Sequence, residues 1–344
     1  MEPEVTGAAT LKKVTISSSA LMKIVQHGTR SLPELCAGSL LGLDDGEGRL
    51  EISDCFAYPS SNAITAGAED DDDAAAQAES DVAEFREDML RLLRDCNSEE
   101  FSVGWYRTVN MGDWCNANII EQQFEHQDEC DQGTGKAKSV LILYDPYQTD
   151  KGVLSIKAVR LTDAFMEIMR VRASQEPGYA VASVIALSKL RMSDVFYEIP
   201  IEFEVSSTLA QIALTELRVG SGSTQASAEL SNVGLDRLVL ATDPYLEKNV
   251  TFAIEELDNL KDELQFQKQV AKQKQGQDKW AGQRRQENML RDSKLASLLV
   301  RKQIDIYCDQ INDWAAQSFE KLYLVGAVQQ QHHQGGASGA GSSS

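Results

Sequence analysis

The stretch VGWYRTVNMGDWCNANIIEQQF, residues 103–124, decides how the fold of this chain is interpreted. An apolar run ends at Gly104-Trp105-Tyr106, polar residues follow, and a helix-like segment closes the stretch. Loops between regular elements often carry catalytic side chains, so this order is typical of the rim of an active site. Its polar residues, however, cannot bind a metal or activate a nucleophile. The stretch therefore has the position of a catalytic loop without the chemistry of one.

Composition and charge limit the classes of function. The 344 residues are enough for one large domain or two ordinary ones. The start of the chain has no apolar segment of a secretory signal, and no apolar run approaches the roughly 18 residues of a membrane span. The six cysteines include no CxxC pair, which predicts reduced thiols and a cytoplasmic location. The net charge of −20 argues against a general affinity for nucleic acid.

Strand-like and helix-like segments alternate on both sides of the opening stretch. Apolar residues at period two and turn residues between them predict a β-hairpin from residues 38–43 and 49–56. The other predicted strands are 14–17, 101–106, 139–145, 153–162 and 197–205, and the predicted helices are 18–28, 82–93 and 163–173. This order predicts an α/β fold with a mostly antiparallel, curved sheet flanked by helices.

Long helices are predicted to follow this α/β domain. Asp243-Pro244 is a typical helix start, and the apolar residues after it are spaced 4-3-4-3-4. The predicted seam consists of Leu246, Val250, Ala253, Leu257, Leu260 and Leu264 on the first helix, with Ile304, Cys308, Ile311, Ala315, Phe319, Leu322 and Val325 on the second. Its periodicity alone allows either an internal antiparallel pair or a contribution to a multi-chain bundle. Residues 1–10 and 331–344 are predicted to be disordered.

The opening stretch resembles the MPN domain family. In active members the strand continues as Tyr-His-x-His, and a Ser and an Asp follow. The two His imidazoles and the Asp carboxylate bind one zinc ion, and the fourth position of the zinc stays open for a water. The corresponding positions here are Arg107, Val109, Asn116 and Ile119. Arg107 is a permanent cation, Val109 and Ile119 have no lone pair to donate, and Glu34 lies one residue from the general-base position. The resemblance therefore implies an inactive member of the MPN family, which binds no metal or other cofactor and catalyses no reaction.

Further segments make this resemblance more specific. LLGL followed by RLEISDCFAYP, the stretch SVLILYDPYQTDKGVLSIKAVRLT, and QRRQENM and QIDIYCDQINDW near the C-terminus are similar to an MPN subunit of eukaryotic translation initiation factor 3. The resemblance implies an MPN core over 11–175, an extension over 176–240, and a helical region over 241–330 that joins a helical bundle. It also implies a scaffold role that supports 40S ribosome binding and mRNA recruitment.

The same resemblance implies the partners. They are the second MPN subunit (subunit f) and the PCI-domain subunits of the factor, with the small ribosomal subunit bound indirectly, and no membrane or small-molecule substrate. Three alternatives remain. The first is an inactive MPN subunit of the proteasome lid or the COP9 signalosome, against which the two C-terminal segments argue. The second is a zinc deubiquitinase, which the missing ligands disfavour, and the third is a direct RNA-binding module.

A basic, glutamine-rich segment over residues 267–291 carries the RNA hypothesis. The candidates for RNA or ribosome contact are Lys272, Lys274, Trp280, Arg284 and Arg285, since an indole can stack on a base and a guanidinium can pair with phosphate. A solvated linker or helix extension between two packing helices is the simpler interpretation. We favour it because one aromatic residue among the cations is thin support.

Overall fold

The computed structural model describes residues 11–46, 48–59, 72–96, 101–132, 139–149, 154–173, 195–204, 243–273 and 280–337. Within them eight strands form one sheet: β1 Lys13–Ser17, β2 Ala37–Asp44, β3 Arg49–Ala57, β4 Phe101–Thr108, β5 Val140–Asp145, β6 Ser155–Leu161, β7 Phe196–Ile199 and β8 Ile201–Glu204. The helices of the same residues are α1 Ser18–Ser31, α2 Asp72–Asp95, α3 Ala117–Gln132, α4 Pro146–Thr149, α5 Asp163–Ala173, α6 Asp243–Gln273 and α7 Trp280–Ala337.

The sheet is mixed, with antiparallel pairs in the majority. Its strand order is β7-β6-β5-β4-β2-β3-β1-β8. The pairs β2–β3, β2–β4, β5–β6 and β6–β7 are antiparallel, and β1–β3, β1–β8 and β4–β5 are parallel. Helix α3 forms the crossover that makes β4 and β5 parallel. The predicted α/β fold with a mostly antiparallel sheet is therefore confirmed.

Both edges of the sheet come from one segment of chain. Strands β7 and β8 are first and last in the strand order, yet only Pro200 separates them. Neighbouring strands lie about 4.8 Å apart, so a flat sheet would hold these strands more than roughly 30 Å apart, whereas two residues span at most about 7 Å. The sheet must therefore curl until its edges meet, and the N–H of Val14 donates to the carbonyl of Pro200 at 3.0 Å.

The single strand predicted over 197–205 is wrong, because Pro200 divides it. Proline has no N–H to donate to a ladder, so regular pairing stops at that residue. The helix predicted over 18–28 also needs correction, since α1 continues past Gly28 to Ser31, with Gly28 buried inside the helix. After Asp145 the chain enters the short helix α4, whose first N–H groups donate to the Asp145 carboxylate.

Helices cover both faces of the sheet, so its central strands are buried on both sides. In β5, Leu141 and Leu143 face a core shared with α3, α5 and α7, which we call the α3-side core. The alternating residues Val140, Ile142 and Tyr144 face a second core shared with α1, the α1-side core. Every residue of β5 is buried, which explains why VLILYD is apolar almost without interruption.

A β-bulge at Gly104 sets the direction of the side chains that lead into the loop. Leu40 pairs with Gly104 and Leu41 with Ser102, so the register shifts by one residue at this point. Gly104 has a φ of 141°, and a Cβ there would lie 2.0 Å from the carbonyl oxygen of Val140. Only glycine fits this conformation and this approach. The bulge turns Trp105 into the α3-side core, while Tyr106 enters the α1-side core.

The two long helices form an antiparallel pair. Tyr245 stacks on Trp314 with ring centroids 5.7 Å apart, and Phe252 packs against Tyr307 at 6.0 Å. Further along, Nε2 of Gln267 donates to the carbonyl of Ser293 at 3.0 Å. As the residue number rises along α6 it falls along α7, which defines the antiparallel register. Of the two arrangements that the apolar periodicity allows, the chain forms at least the internal one.

Helix α7 is much longer than its partner. The stacking of Tyr245 on Trp314 places Asp243, the first residue of α6, beside residue 316. Residues 317–337, about 30 Å of helix, therefore extend beyond α6, and we call them the α7 extension. This helix also reaches residue 337, so disorder predicted from residue 331 is not observed over 331–337. Residues 1–10, 338–344 and most of the predicted extension 176–240 lie outside the described residues.

Candidate functional site

The four positions that would hold a zinc site lie together where β4 runs into α3. Val109 and Ile119 are buried in the α3-side core, 4% and 1% exposed. Asn116 precedes α3, and its Oδ1 accepts the N–H of Ile119 at 3.3 Å, the bond of a helix N-cap. The structure thus brings the positions together but gives them packing and capping roles.

Arg107 makes the place unsuitable for a cation. The residue is half-buried at the end of β4, opposite Ala37 in the ladder. Burial lowers the pKa of its guanidinium, and attraction to Asp113 opposes this change. Burial likewise raises the pKa of the Asp113 carboxyl, and attraction to Arg107 opposes that. The charge that faces the loop is therefore positive and already has an acidic neighbour within the loop.

Glu34, which lies next to the general-base position by resemblance, is exposed in the turn between α1 and β2. No group of three or more His, Cys, Asp or Glu side chains in the described part of the chain could hold a metal ion. Two further polar side chains near this part of the sequence, Cys115 and His126, have shifted pKa values. Burial raises the pKa of Cys115 to about 12, while burial and the nearby Arg86 lower the pKa of His126 to about 4. Arg86 lies 3.0 Å from His126 Nδ1.

The loop itself is a tight turn that presents backbone groups to α7. The N–H of Asp113 donates to the carbonyl of Asn110 at 3.1 Å, and the two central residues, Met111 and Gly112, have φ values of 52° and 80°. Two positive φ values at the centre of a turn are the pattern of type I′. A Cβ on Gly112 would lie 1.9 Å from the Nε2 of Gln310 on α7. The positive φ of the turn favours glycine here, and a larger residue would also displace the end of the flexible Gln310 side chain.

Gln303 of α7 bonds the backbone of this loop directly. Its Nε2 donates to the carbonyl of Gly112 at 2.8 Å, and its Oε1 accepts the N–H of Cys115 at 3.0 Å and that of Trp114 at 3.4 Å. Gln303 is buried, and Leu295 and Leu299 of the same helix belong to the α3-side core. The helix thus lies on the loop that carries the ligand positions, and the loop is part of a packed interface.

Behind the loop, a chain of buried amides attaches α3 to the sheet. The indole Nε1 of Trp105 donates to Oε1 of Gln123 at 2.9 Å, and Nε2 of Gln123 donates to Oε1 of Gln127 at 3.3 Å. Gln127 then exchanges two bonds with the backbone of Leu161, at 3.1 and 3.3 Å. Since buried polar groups are costly unless they are paired, this network fixes the position of α3 over β4 and β6.

The predicted helix seam is divided between packed and exposed positions. On α6, Leu246, Leu260 and Leu264 are half-buried, whereas Val250 and Leu257 are 39% and 51% exposed. On α7, Ile304, Ile311 and Val325 are half-buried, Cys308 is exposed, and Phe319 and Leu322 of the α7 extension are 72% and 65% exposed. Part of the seam packs internally: Ala253 is buried, and the contact between α6 and α7 is made by Tyr245 against Trp314 and Phe252 against Tyr307. The partner-helix role of the seam stays a prediction.

Most of the exposed apolar side chains on α6 and the α7 extension form two stripes. Val250, Ile254 and Leu257 lie on one face of α6, and Phe319, Leu322 and Tyr323 lie on one face of the α7 extension. Ile254 and Tyr323, 54% and 78% exposed, fall outside the 4-3-4 pattern and were not predicted from the sequence.

Gln303 and Gln310, the two glutamines of α7 that approach the loop, were not predicted from the sequence either. The available signal was their place on the helix face of Tyr307 and Trp314, where polar residues interrupt an aromatic stripe.

Few structural observations bear on the hypothesis that residues 267–291 contact RNA. Lys272 is exposed near the end of α6. Lys274 lies outside the described residues, and Trp280, Arg284 and Arg285 fall in the first turns of α7, where only the backbone is described. These five residues remain a prediction from the sequence. Among the helices that the structure describes, none combines the length and the apolarity needed to cross a membrane.

Comparisons with known proteins agree with this geometry. Residues 9–132 match the model of the JAB1/Mov34/MPN/PAD-1 ubiquitin protease family, and residues 149–295 match the model of the C-terminal region of eIF3h. A protein from Arabidopsis thaliana, named as the H-type subunit of eukaryotic translation initiation factor 3, is 32% identical over 93% of this chain and 94% of its own. Proteins of the same name from Dictyostelium discoideum and Nematostella vectensis are 33% and 29% identical, with 95% and 94% of their lengths covered.

Proposed function

Because the chain belongs to the eIF3h family of eukaryotic translation initiation factor 3 subunits, we propose that it is a non-catalytic scaffold subunit of that factor and acts by binding. Its MPN domain has Arg107, Val109 and Ile119 at the three positions that would ligate zinc, and α7 lies on the loop of this site. Without those ligands the site cannot hold the zinc that would activate a water.

The single observation that carries the scaffold role is the exposed apolar stripe of the α7 extension. Phe319, Leu322 and Tyr323 are 72%, 65% and 78% exposed on one face of a helix that no other described element covers. Burying a large apolar side chain contributes about 1.5–3 kcal/mol, so this face is suited to packing against helices of other subunits. The exposed face of α6, with Val250, Ile254 and Leu257, supplies a second such surface.

The partners are inferred from the family. We propose that the MPN domain pairs with the second MPN subunit, subunit f, and that the long helices join those of PCI-domain subunits. The assembly would then hold the factor on the small ribosomal subunit and support mRNA recruitment, with this chain touching the ribosome indirectly. The net charge of −20 supports an indirect role, since RNA phosphates would be repelled.

Co-purification tests the assembly. The chain is tagged at its N-terminus, purified from cell extract at moderate salt, and the accompanying chains are quantified by mass spectrometry. The expected result is near-stoichiometric initiation factor 3 subunits, with small-subunit ribosomal proteins at lower yield. Recovery of proteasome-lid or COP9 signalosome chains in their place would mean that the assembly is a different one, and recovery of the tagged chain alone would contradict the scaffold role.

Substitution of the stripe tests the surface. The double change Phe319→Glu with Leu322→Glu removes two apolar anchors, about 3 kcal/mol or more, and should weaken retention of partner subunits at least about 100-fold. The matched control is Gln317→Glu, which adds a negative charge to the α7 extension on the helix face turned away from Phe319. Because Phe319 and Leu322 are largely exposed, the unfolding curve of the chain should not change. Unaltered retention, or release only together with unfolding of the MPN domain, would contradict this role of the stripe.

A further inference from the structure

Helix α6 is long, but few of its side chains are buried. Among the side chains that the structure describes on this 31-residue helix, the buried ones are Asn249, Ala253 and Val270. The rings of Tyr245 and Phe252 add two half-buried contacts with α7. Apolar burial is what chiefly holds a helix on its neighbour, and here an amide and a small alanine occupy two of the three buried positions. Helix α6 is therefore held on α7 less firmly than its length allows.

Opposed amides interrupt the contact between the two helices. The two ring pairs set a register in which Asn249 lies opposite Gln310, midway between them. Asn249 is 1% exposed, and neither its Nδ2 nor its Oδ1 has a hydrogen-bond partner among the described residues. Oε1 of Gln310 is a buried atom that lacks a partner there as well. An unpaired buried polar atom destabilises the state that buries it, so these three atoms oppose the closed helix pair.

The other end of the contact has the same defect. Ser293 of α7 lies beside Gln267 of α6, whose Nε2 donates to the Ser293 carbonyl at 3.0 Å. The Ser293 hydroxyl, however, is buried without a hydrogen-bond partner in the part of the chain that the structure describes. Unpaired polar atoms therefore occur at both ends of the α6–α7 contact, whereas a permanent interface pairs nearly all such atoms.

The apolar stripe of α6 lies outside this contact. Val250, Ile254 and Leu257 are exposed, and Val250 follows Asn249 at about 100° around the helix. On α7, therefore, α6 buries an amide and leaves its apolar stripe in water. A packing that covered the stripe would place Asn249 at the edge of the contact, where water can pair its amide. The contact with α7 is thus not the best packing that this helix can make.

Helix α7, in contrast, is fixed to the MPN domain by contacts of its own. Gln303 bonds the loop at Gly112 and Cys115, and Leu295 and Leu299 belong to the α3-side core. These contacts do not involve α6, so they remain when α6 departs. Opening of the helix pair therefore requires no unfolding of the sheet.

We propose that α6 is a releasable helix, which separates from α7 while α7 stays on the MPN domain, and that an amphipathic helix of a partner subunit then occupies its place. The face of α7 with Tyr307 and Trp314 already fits an antiparallel helix, since α6 packs there. A partner helix with an apolar residue in the place of Asn249 buries fewer unpaired atoms than α6 does. Release is a property of this chain alone, whereas capture by a partner helix rests on the scaffold function.

Hydrogen exchange of the full chain, followed by mass spectrometry, measures release. Amides of α6 should exchange at least about 100-fold faster than those of β5, while α7 over 295–307 stays protected, because release leaves the MPN domain and its contact with α7 intact. Exchange of α6 as slow as that of β5, or exchange of α6 and residues 295–307 together, would overturn the proposal.

Variants show whether the unpaired atoms cause release. Asn249→Leu replaces the unpaired amide by an apolar side chain and should slow exchange in α6 about tenfold, with β5 unchanged. The matched control is Asn259→Leu, which makes the same change at an exposed position of the same helix and should have a much smaller effect. Ser293→Ala removes the unpaired hydroxyl at the other end and should slow exchange severalfold. Equal effects of the two leucine variants, or faster exchange of α6 in both Asn249→Leu and Ser293→Ala, would refute this cause.

Co-purification tests capture by a partner. Tagged Asn249→Leu should recover severalfold less of the partner subunits than the parent chain, because its α6 leaves α7 less often, and Asn259→Leu should recover the parental amount. Undiminished recovery with Asn249→Leu would refute capture through release and leave the scaffold function standing. If the parent chain itself recovers no subunits, the scaffold function fails and capture with it, whereas hydrogen exchange still decides whether α6 is released.

Discussion

Replacing Gln303 by methionine should destabilise the contact between α7 and the MPN domain. Methionine has a similar size and flexibility, so the substitution removes the amide without leaving a large cavity. The carbonyl of Gly112 and the N–H of Cys115 would lose bonds of 2.8 and 3.0 Å in a buried place. An unsatisfied buried group costs about 1–3 kcal/mol, whereas the longer bond from Trp114 contributes little. We expect a loss of about 3 kcal/mol in the free energy of unfolding.

Two measurements check this value. Urea unfolding of the full chain, followed by circular dichroism, gives the change in free energy, and hydrogen exchange reports the Cys115 amide directly. The Cys115 N–H should exchange much faster in Gln303→Met, because its acceptor has gone. Asn312→Met is the control, since Asn312 is an exposed amide on the same helix and its substitution should cost less than about 0.5 kcal/mol. A cost equally small for Gln303→Met, or unchanged exchange at Cys115, would refute the reasoning.

Three further outcomes are expected. Asn116→Ala should cost about 1 kcal/mol in urea unfolding because α3 loses its N-cap, while Asn116→Ser should retain most of that stability. Burial raises the pKa of Asp145 from 3.8 to about 6, so the folded chain holds this proton more tightly than the unfolded chain. As the pH rises from about 4 to about 6, the free energy of unfolding of the parent chain should therefore fall by up to about 3 kcal/mol relative to that of Asp145→Asn. Free energies of unfolding that change in parallel with pH in the two proteins would contradict this. Finally, equimolar Zn²⁺ or a chelator should leave the melting temperature unchanged, since Arg107, Val109 and Ile119 cannot ligate; stabilisation by zinc would contradict the packing role of these positions.

Several elements were predictable because local pattern and long-range packing agree there. The stretch VLILYD is apolar because both faces of β5 are buried. The alternation in RLEISDCF matches a strand with one buried face only as far as Ile52, because the pairing with β2 then shifts register and Cys55 is the next buried residue. Gly104 could be recognised as a special position, but its cause could not be read from the sequence. The bulge and the approach to Val140 depend on a strand that follows only after the whole of α3.

Other features depend on three-dimensional contacts that no local pattern encodes. The period-two alternation of YEIPIEFEV is the same whether a segment pairs with one neighbour or, as here, with β6 and then β1. The 4-3-4 spacing on α6 places Val250 and Ala253 on one broad stripe, yet only Ala253 is buried. Spacing identifies an amphipathic helix, and the choice of which part of its apolar face is covered depends on the partner's position.

The hydrogen bonds between Gln303 and the loop can form only late in the synthesis of the chain. The amide of this residue meets the carbonyl of Gly112, which precedes it by 191 residues. At a synthesis rate of about 5–20 residues per second, the loop emerges roughly 10–40 s before its last hydrogen-bond partner exists. Until then water must satisfy Gly112, Trp114 and Cys115, and the Asn110–Asp113 turn must hold without the helix. A nascent chain released before residue 303 would carry an MPN domain whose loop remains hydrated and open, a surface that the completed protein never exposes.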